Sequence, residues 1–187
     1  MNAIRTFMTC TGVILALLAS TTSQAMPENV RKLRLKDQHE LPYRIPSSTR
    51  YIIFAHDMSS KNLVQDMLSS KPDSFLQEHD AVFIADISGM PRVIARMFAY
   101  PSLRKLPYKV LLDELGTQTG EWDRKDSAVT LLTVADYEVT GFSHIDQVED
   151  LLAALVIKSE YSGDDASAAA ENSGETAAEQ PVNSDAE

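Results

Sequence analysis

The apolar positions change period along the chain, and each change marks an element. Lys32-Leu33-Arg34-Leu35-Lys36-Asp37 alternates polar and apolar residues, the period of a strand with one covered face. His39-Glu40 follows as a turn and Leu41 to Ile45 returns as a second short strand, which together read as a hairpin. Tyr51-Ile52-Ile53-Phe54-Ala55 does not alternate. A continuous β-branched and aromatic run predicts a strand covered on both faces, as in a largely parallel sheet. Leu63, Val64, Met67 and Leu68 then lay an apolar stripe along a helix whose N-cap the sequence assigns to Ser59 or Ser60.

The same unit follows with different residues. Ala81 to Ala85 is a second buried strand ending at Asp86, and the turn Ser88-Gly89-Met90-Pro91 leads into Val93, Ile94, Met97 and Phe98 at helical spacing. Pro91 suits the first turn of that helix. Tyr108 to Asp113 is a third strand. Val129 to Val134 and Glu138 to Phe142 form two more around Ala135-Asp136-Tyr137, and Val148, Leu151, Leu152, Leu155 and Val156 make a closing amphipathic helix. Strands alternating with helices call for parallel neighbours joined by right-handed crossovers, while the late hairpin adds antiparallel strands. Residues 27–158 have the size of one domain with one core.

Both ends differ from this middle in composition. Arg5, the short apolar run Thr11 to Ala19 and the small residues Ser23-Gln24-Ala25 are the pattern of a secretory signal over residues 1–25, cut after Ala25. The run is shorter than the roughly 20 residues of a membrane span, and no later stretch approaches that length. Cys10, the only cysteine of the chain, lies ahead of most of the apolar run. It is therefore badly placed for lipid attachment and reads as leader filler, which leaves the expected mature chain without a thiol. Residues 159–187 hold eight acids and no Lys or Arg, and of the net charge of -10 they supply -8, leaving -2 for residues 1–158. Such a segment buries too little apolar surface to offset its ordering entropy and is expected to be a disordered acidic tail. A near-neutral domain with an acidic tail disfavours nucleic acid as a partner.

At this level of detail the middle resembles the peroxiredoxin-like branch of the thioredoxin-like superfamily, which also holds TlpA-type thiol oxidoreductases and SCO-type copper proteins. Leu33-Arg34-Leu35-Lys36-Asp37-Gln38-His39 followed by Leu41-Pro42 is similar to the branch's opening hairpin, with Glu40 where a glycine is usual. Ile52-Ile53-Phe54-Ala55-His56-Asp57-Met58 is similar to the strand and loop that enter its active site. Leu111-Leu112-Asp113-Glu114-Leu115-Gly116, then Val129 to Leu132 and Asp136-Tyr137-Glu138-Val139, are similar to its later strands. The resemblance implies an α/β fold: a thioredoxin-like mixed β-sheet flanked by helices, with an N-terminal β-hairpin.

The same resemblance implies a redox site, and the residues contradict it. Where the branch places cysteine, this chain has Met58-Ser59-Ser60-Lys61, and where the fold's cis-proline precedes a late strand it has Asp126-Ser127-Ala128. A helix N-terminus there would activate a thiol, but there is none to activate. The vestigial-site loop is thus expected at His56, Asp57, Met58, Ser59, Ser60 and Lys61, with Asp86 and Ala128 beside it. Serine as a nucleophile is the weaker reading, because it needs a base within hydrogen-bond range.

Other chemistries find less support. His56 and Met58, with Asp57 and Asp86 nearby, are an alternative metal set for copper or a non-thiol enzyme. Against it, no His-x-x-x-His or Cys-x-x-Cys spacing is present, Met67 and Met97 read as core filler on apolar helix faces, and His39, His79 and His144 read as surface residues. No glycine-rich phosphate loop suggests a nucleotide or flavin, so no cofactor is expected. Asp113-Glu114 ends a strand and does not suggest acid and base work. Arg92, Arg96, Arg104, Lys105 and Lys109 interleave with Phe98, Tyr100, Leu103, Leu106 and Tyr108, a solvated face or a docking surface for a partner or the acidic tail. The expectation is an exported, non-catalytic binding or accessory module of a Gram-negative periplasm whose partner is another periplasmic or envelope protein. The sequence leaves its oligomeric state open.

Overall fold

The computed structural model describes residues 26–156. The expected signal segment, its Cys10 and the acidic tail lie outside the described residues. The elements in chain order are β1 (Leu35–Asp37), β2 (Pro42–Tyr43), β3 (Tyr51–Ala55), α1 (Met58–Ser69), α2 (Phe75–Glu78), β4 (Ala81–Asp86), a helical segment formed by α3 (Arg92–Ile94), a π-helical turn (Ala95–Ala99) and α4 (Tyr100–Leu103), then β5 (Val110–Asp113), β6 (Val129–Ala135) and β7 (Glu138–Ile145). A last helix, α5, occupies residues 148–156.

The strands form one mixed sheet in the order β2-β1-β5-β4-β3-β6-β7. Its centre, β5-β4-β3, is parallel, and antiparallel pairs close both sides. Every residue of β3, β4 and β5 is buried, as their unbroken apolar runs require. The crossovers β3 to β4 and β4 to β5 step in the same direction across the sheet. Right-handed connections then place both sets of helices on one face. Tyr51, Ile53 and Ala55 meet Leu63, Val64 and Met67 of α1, Ala95 and Tyr100 of the helical segment, and Leu151 and Leu155 of α5 in one core. Ile52 and Phe54 point to the opposite face, where Val30, Leu33, Ile45 and Trp122 cover them and, among the described residues, no helix contributes.

Four local expectations change. The N-terminal hairpin is present but shorter, with Lys32 to Arg34 outside the strand. Helix α2 was not legible in the sequence because four residues hold barely one turn and display no period. The N-cap of α1 is Asp57, not Ser59 or Ser60. The fourth change concerns the helix after β4. Its stripe of Val93, Ile94, Met97 and Phe98 faces solvent, with Met97 and Phe98 each 62% exposed, so Met97 is not core filler. Ala95 and Tyr100 face the core instead, with Leu103 partly buried against it. Small Ala95 admits the helix close to the sheet, and the wide turn at Ala95–Ala99 shifts the register by which the bulky side chains are carried outward.

Two loop residues explain the branch-like motifs. Glu40, standing where glycine is usual, takes a φ of 64° and is tied by Arg104 Nη2 at 3.2 Å. Gly116 has a φ of +67°, and a Cβ there would lie 2.8 Å from Ser88 Oγ, so this position needs glycine. Asp113, buried just before it, accepts the backbone N–H groups of Gln118 (2.9 Å) and Thr119 (2.8 Å) and the Thr119 hydroxyl (3.0 Å). Its other oxygen accepts the N–H of Leu115 at 3.3 Å, so the carboxylate organises the loop.

Candidate functional site

The predicted loop is assembled where β3 ends. Asp57 has extended backbone, and its Oδ1 accepts the N–H of Ser60 at 2.7 Å while the Ser60 Oγ accepts the N–H of Asp57 at 3.2 Å. This reciprocal capping box satisfies two orphan donors at the start of α1. The Ser60 hydroxyl also donates to the Asp57 carbonyl at 3.1 Å and the residue is fully buried. That hydroxyl is committed to the cap, and Ser60 is excluded as a nucleophile. Ser59 is exposed on the first turn.

The second oxygen of Asp57 reaches another loop. Its Oδ2 accepts the N–H of Ser127 at 2.8 Å, and Ser127 adopts a φ of 60° in the turn that precedes buried Ala128. The place assigned to the fold's proline is thus joined to the helix cap by a carboxylate. Burial acts to raise the Asp57 pKa, but the hydrogen bonds from Ser60 and Ser127 outweigh it and hold the carboxyl below its ordinary value.

His56 lies between this clasp and the core. Its side chain is only 10% exposed; Nε2 stands 3.6 Å from Asp57 Oδ2, beyond hydrogen-bond range, and Nδ1 is buried without a partner. Burial, assisted by the positive charges of Arg124 and Lys61, pushes its pKa down against the opposing pull of Asp57 and Asp126. The imidazole is accordingly neutral at pH 7. Lys61 is also pushed below its ordinary value by burial, with Asp86 and Asp57 opposing, and its Nζ lies 3.5 Å from the His56 carbonyl. Asp86, at the end of β4, accepts Arg124 at 2.8 Å and the N–H of Ser88 at 2.8 Å. Burial raises its pKa, and the Ser88 and Arg124 hydrogen bonds overcome that and leave it lowered. Arg124 also donates to the Thr119 carbonyl at 2.9 Å and lies over the Phe54 ring.

The predicted residues therefore divide. His56, Asp57 and Ser60 meet at the clasp, Ala128 follows the Ser127 that closes it, Asp86 is held by Arg124, and Met58 is exposed. Met58, Lys61, Met90, Ala99, Leu103 and Leu106 line a largely apolar cleft of about 140 Å³ between α1 and the helical segment. Its outer neighbour in sequence is the exposed ridge of Val93, Ile94, Met97 and Phe98.

Sequence reasoning missed Asp126 and Arg124 as members of the site, because nothing in a polar connection signals which of its charges turn inward. It also missed a second constellation. His144 is not a plain surface residue: its Nε2 is 2.7 Å from Asp123 Oδ2 and its Nδ1 is 3.2 Å from Thr130 Oγ1. Thr130 is fully buried and donates to the Asp123 carbonyl at 3.1 Å, so this arrangement locks the 113–129 connection to β7 and offers no open nucleophile. His79 is bonded to the Phe75 carbonyl at 2.8 Å, and His39 is exposed as expected.

No family model matches this chain, and no curated protein matches it. Solved structures do. Peroxiredoxin Q of Xanthomonas campestris aligns with a TM-score of 0.50 at 9% identity, over 73% of this chain and 98% of that one. DsbF of Mycobacterium tuberculosis aligns with a TM-score of 0.47 at 12% identity over 72% and 99%, and StoA of Bacillus subtilis with 0.44 at 16% over 67% and 96%. Among the described residues no helix is long and apolar enough to cross a membrane. The mixed sheet, its strand order and the peroxiredoxin Q alignment establish that this chain has a thioredoxin-like fold.

Proposed function

We propose that this protein is an exported thioredoxin-like protein without thiol chemistry, acting in the periplasm as a binding or accessory module for another envelope protein. The observation that carries the reading is the exposed ridge of Val93, Ile94, Met97 and Phe98 beside the Met58 cleft, four bulky apolar side chains turned away from the core. Contiguous exposed apolar groups on a soluble domain mark a contact surface. Arg92 and Arg96, both exposed, belong to the same helical segment, so the matching partner surface is apolar with carboxylates at its edge. The site itself supports the non-thiol half of the reading: Ser60 is spent in the cap, and the chain's single cysteine is Cys10.

The test compares the wild-type protein with a Met97→Ser, Phe98→Ser double variant. Both are expected to melt alike, while one defined partner co-purifies from periplasmic extract with the wild type only. Equal capture by both proteins removes the ridge from the reading. Insulin reduction and peroxide consumption are expected at the uncatalysed rate, and turnover in either would overturn the non-thiol assignment.

A further inference from the structure

We propose that His56, Asp57 and Asp126 form a binding site for one divalent first-row transition cation of the zinc type. The three side chains each present a ligand atom, and these atoms lie within 4.8 Å of one another. Bound zinc places imidazole and carboxylate ligands at about 2.0–2.2 Å from the metal, which brings the ligand atoms closer to one another than 4.8 Å. The needed contraction falls on Asp126, which is exposed, while His56 and Asp57 are adjacent in the chain and anchored.

The independent mark of a missing partner is His56 itself. Its side chain is only 10% exposed, Nε2 stands 3.6 Å from Asp57 Oδ2 without a hydrogen bond, and the nitrogen that is buried with no partner is Nδ1. No hydrogen bond holds this ring, so Nε2, the nitrogen on the Asp57 side, is free to take a ligand while Nδ1 keeps the proton. The carboxylate opposite is already oriented. Asp57 receives the N–H groups of Ser60 and Ser127, one on each oxygen, and each oxygen keeps a second lone pair. Hydrogen bonds of this kind fix a metal-binding carboxylate from behind.

The surrounding charges set the limits. Arg124, although paired with Asp86, and Lys61 are the cations whose charge opposes a metal here. One imidazole and two carboxylates suit a borderline or hard cation better than Cu(I), which prefers sulfur. The site therefore differs from the sulfur-containing set of His56 and Met58. It does not depend on the proposed partner surface, because each can be lost without the other.

Isothermal titration of the full chain with Zn2+ tests the site. One equivalent is expected to bind, with affinity falling at least tenfold in His56→Gln and in Asp126→Asn, and rising severalfold in Lys61→Gln. Asp126 is exposed, so its variant is expected to fold as the wild type does, and the acidic tail contributes equally to all four proteins. Selective broadening of the His56 ring resonances by Mn2+, absent in Asp126→Asn, is the second expected readout. Equal Zn2+ affinity in the wild type and both ligand variants, or the lack of a stoichiometric equivalent in the wild type, would overturn the proposal.

Discussion

At the scale of single residues, the short polar side chains after β3 exchange the roles that sequence suggests for them. A serine is a good cap, but Asp57 stands one residue before the first helical position and can reach both Ser60 and Ser127. Asp57→Ala is expected to cost about 1–2 kcal/mol in denaturant unfolding, whereas Ser59→Ala stays within about 0.5 kcal/mol. Asp86 supplies a pH dependence. Its folded pKa lies below the ordinary 3.8, so it contributes stability that is fully present above that value and lost as pH falls through the folded pKa. Arg124→Met leaves the buried carboxylate short of its partner; unfolding stability at pH 7 should drop by about 2–3 kcal/mol, below the range for a fully buried pair because Arg124 is partly solvated. The acid unfolding midpoint should move upward in the same variant. The loop was legible as a place, since His56 to Lys61 follow a strand and open a helix. Its closure by Asp57, Ser127 and Asp126 was not, because 70 residues separate the clasp's two halves.

At the scale of elements, period succeeded where both faces of an element agree and failed where two faces compete. Strands β3, β4 and β5 are buried throughout, so every residue votes the same way. Helix α1 carries one apolar stripe, and it is buried. The segment after β4 offers two faces, and the structure buries that of Ala95 and Tyr100. Ala95→Leu should therefore destabilise by about 1–3 kcal/mol through overpacking, while Met97→Ser and Phe98→Ser leave the melting temperature within about one degree. The reverse result would mean that the bulky stripe is the packed face. An exposed apolar ridge of this sort is kept by something other than folding, since hydrophobic burial alone would have turned it inward.

At the scale of the whole molecule, the charge asymmetry separates a near-neutral domain from an acidic end. Deleting residues 159–187 is expected to leave the melting temperature unchanged, because the described domain closes its core by residue 155. If export is as proposed, mass spectrometry of the protein recovered from the periplasm should show an N-terminus at Met26. The chain alone determined the order of the strands and of the longer helices, the mixed sheet they imply and the absence of cysteine from Met58 to Lys61, since those follow from local period and residue identity. Only the tertiary structure decided which helix face meets the sheet, which carboxylate caps α1, and that a partnerless buried His56 stands beside Asp57 and Asp126. Those outcomes depend on close approach between segments far apart in sequence, and side-chain volume and hydrogen-bond geometry at the contact, not local propensity, select among them.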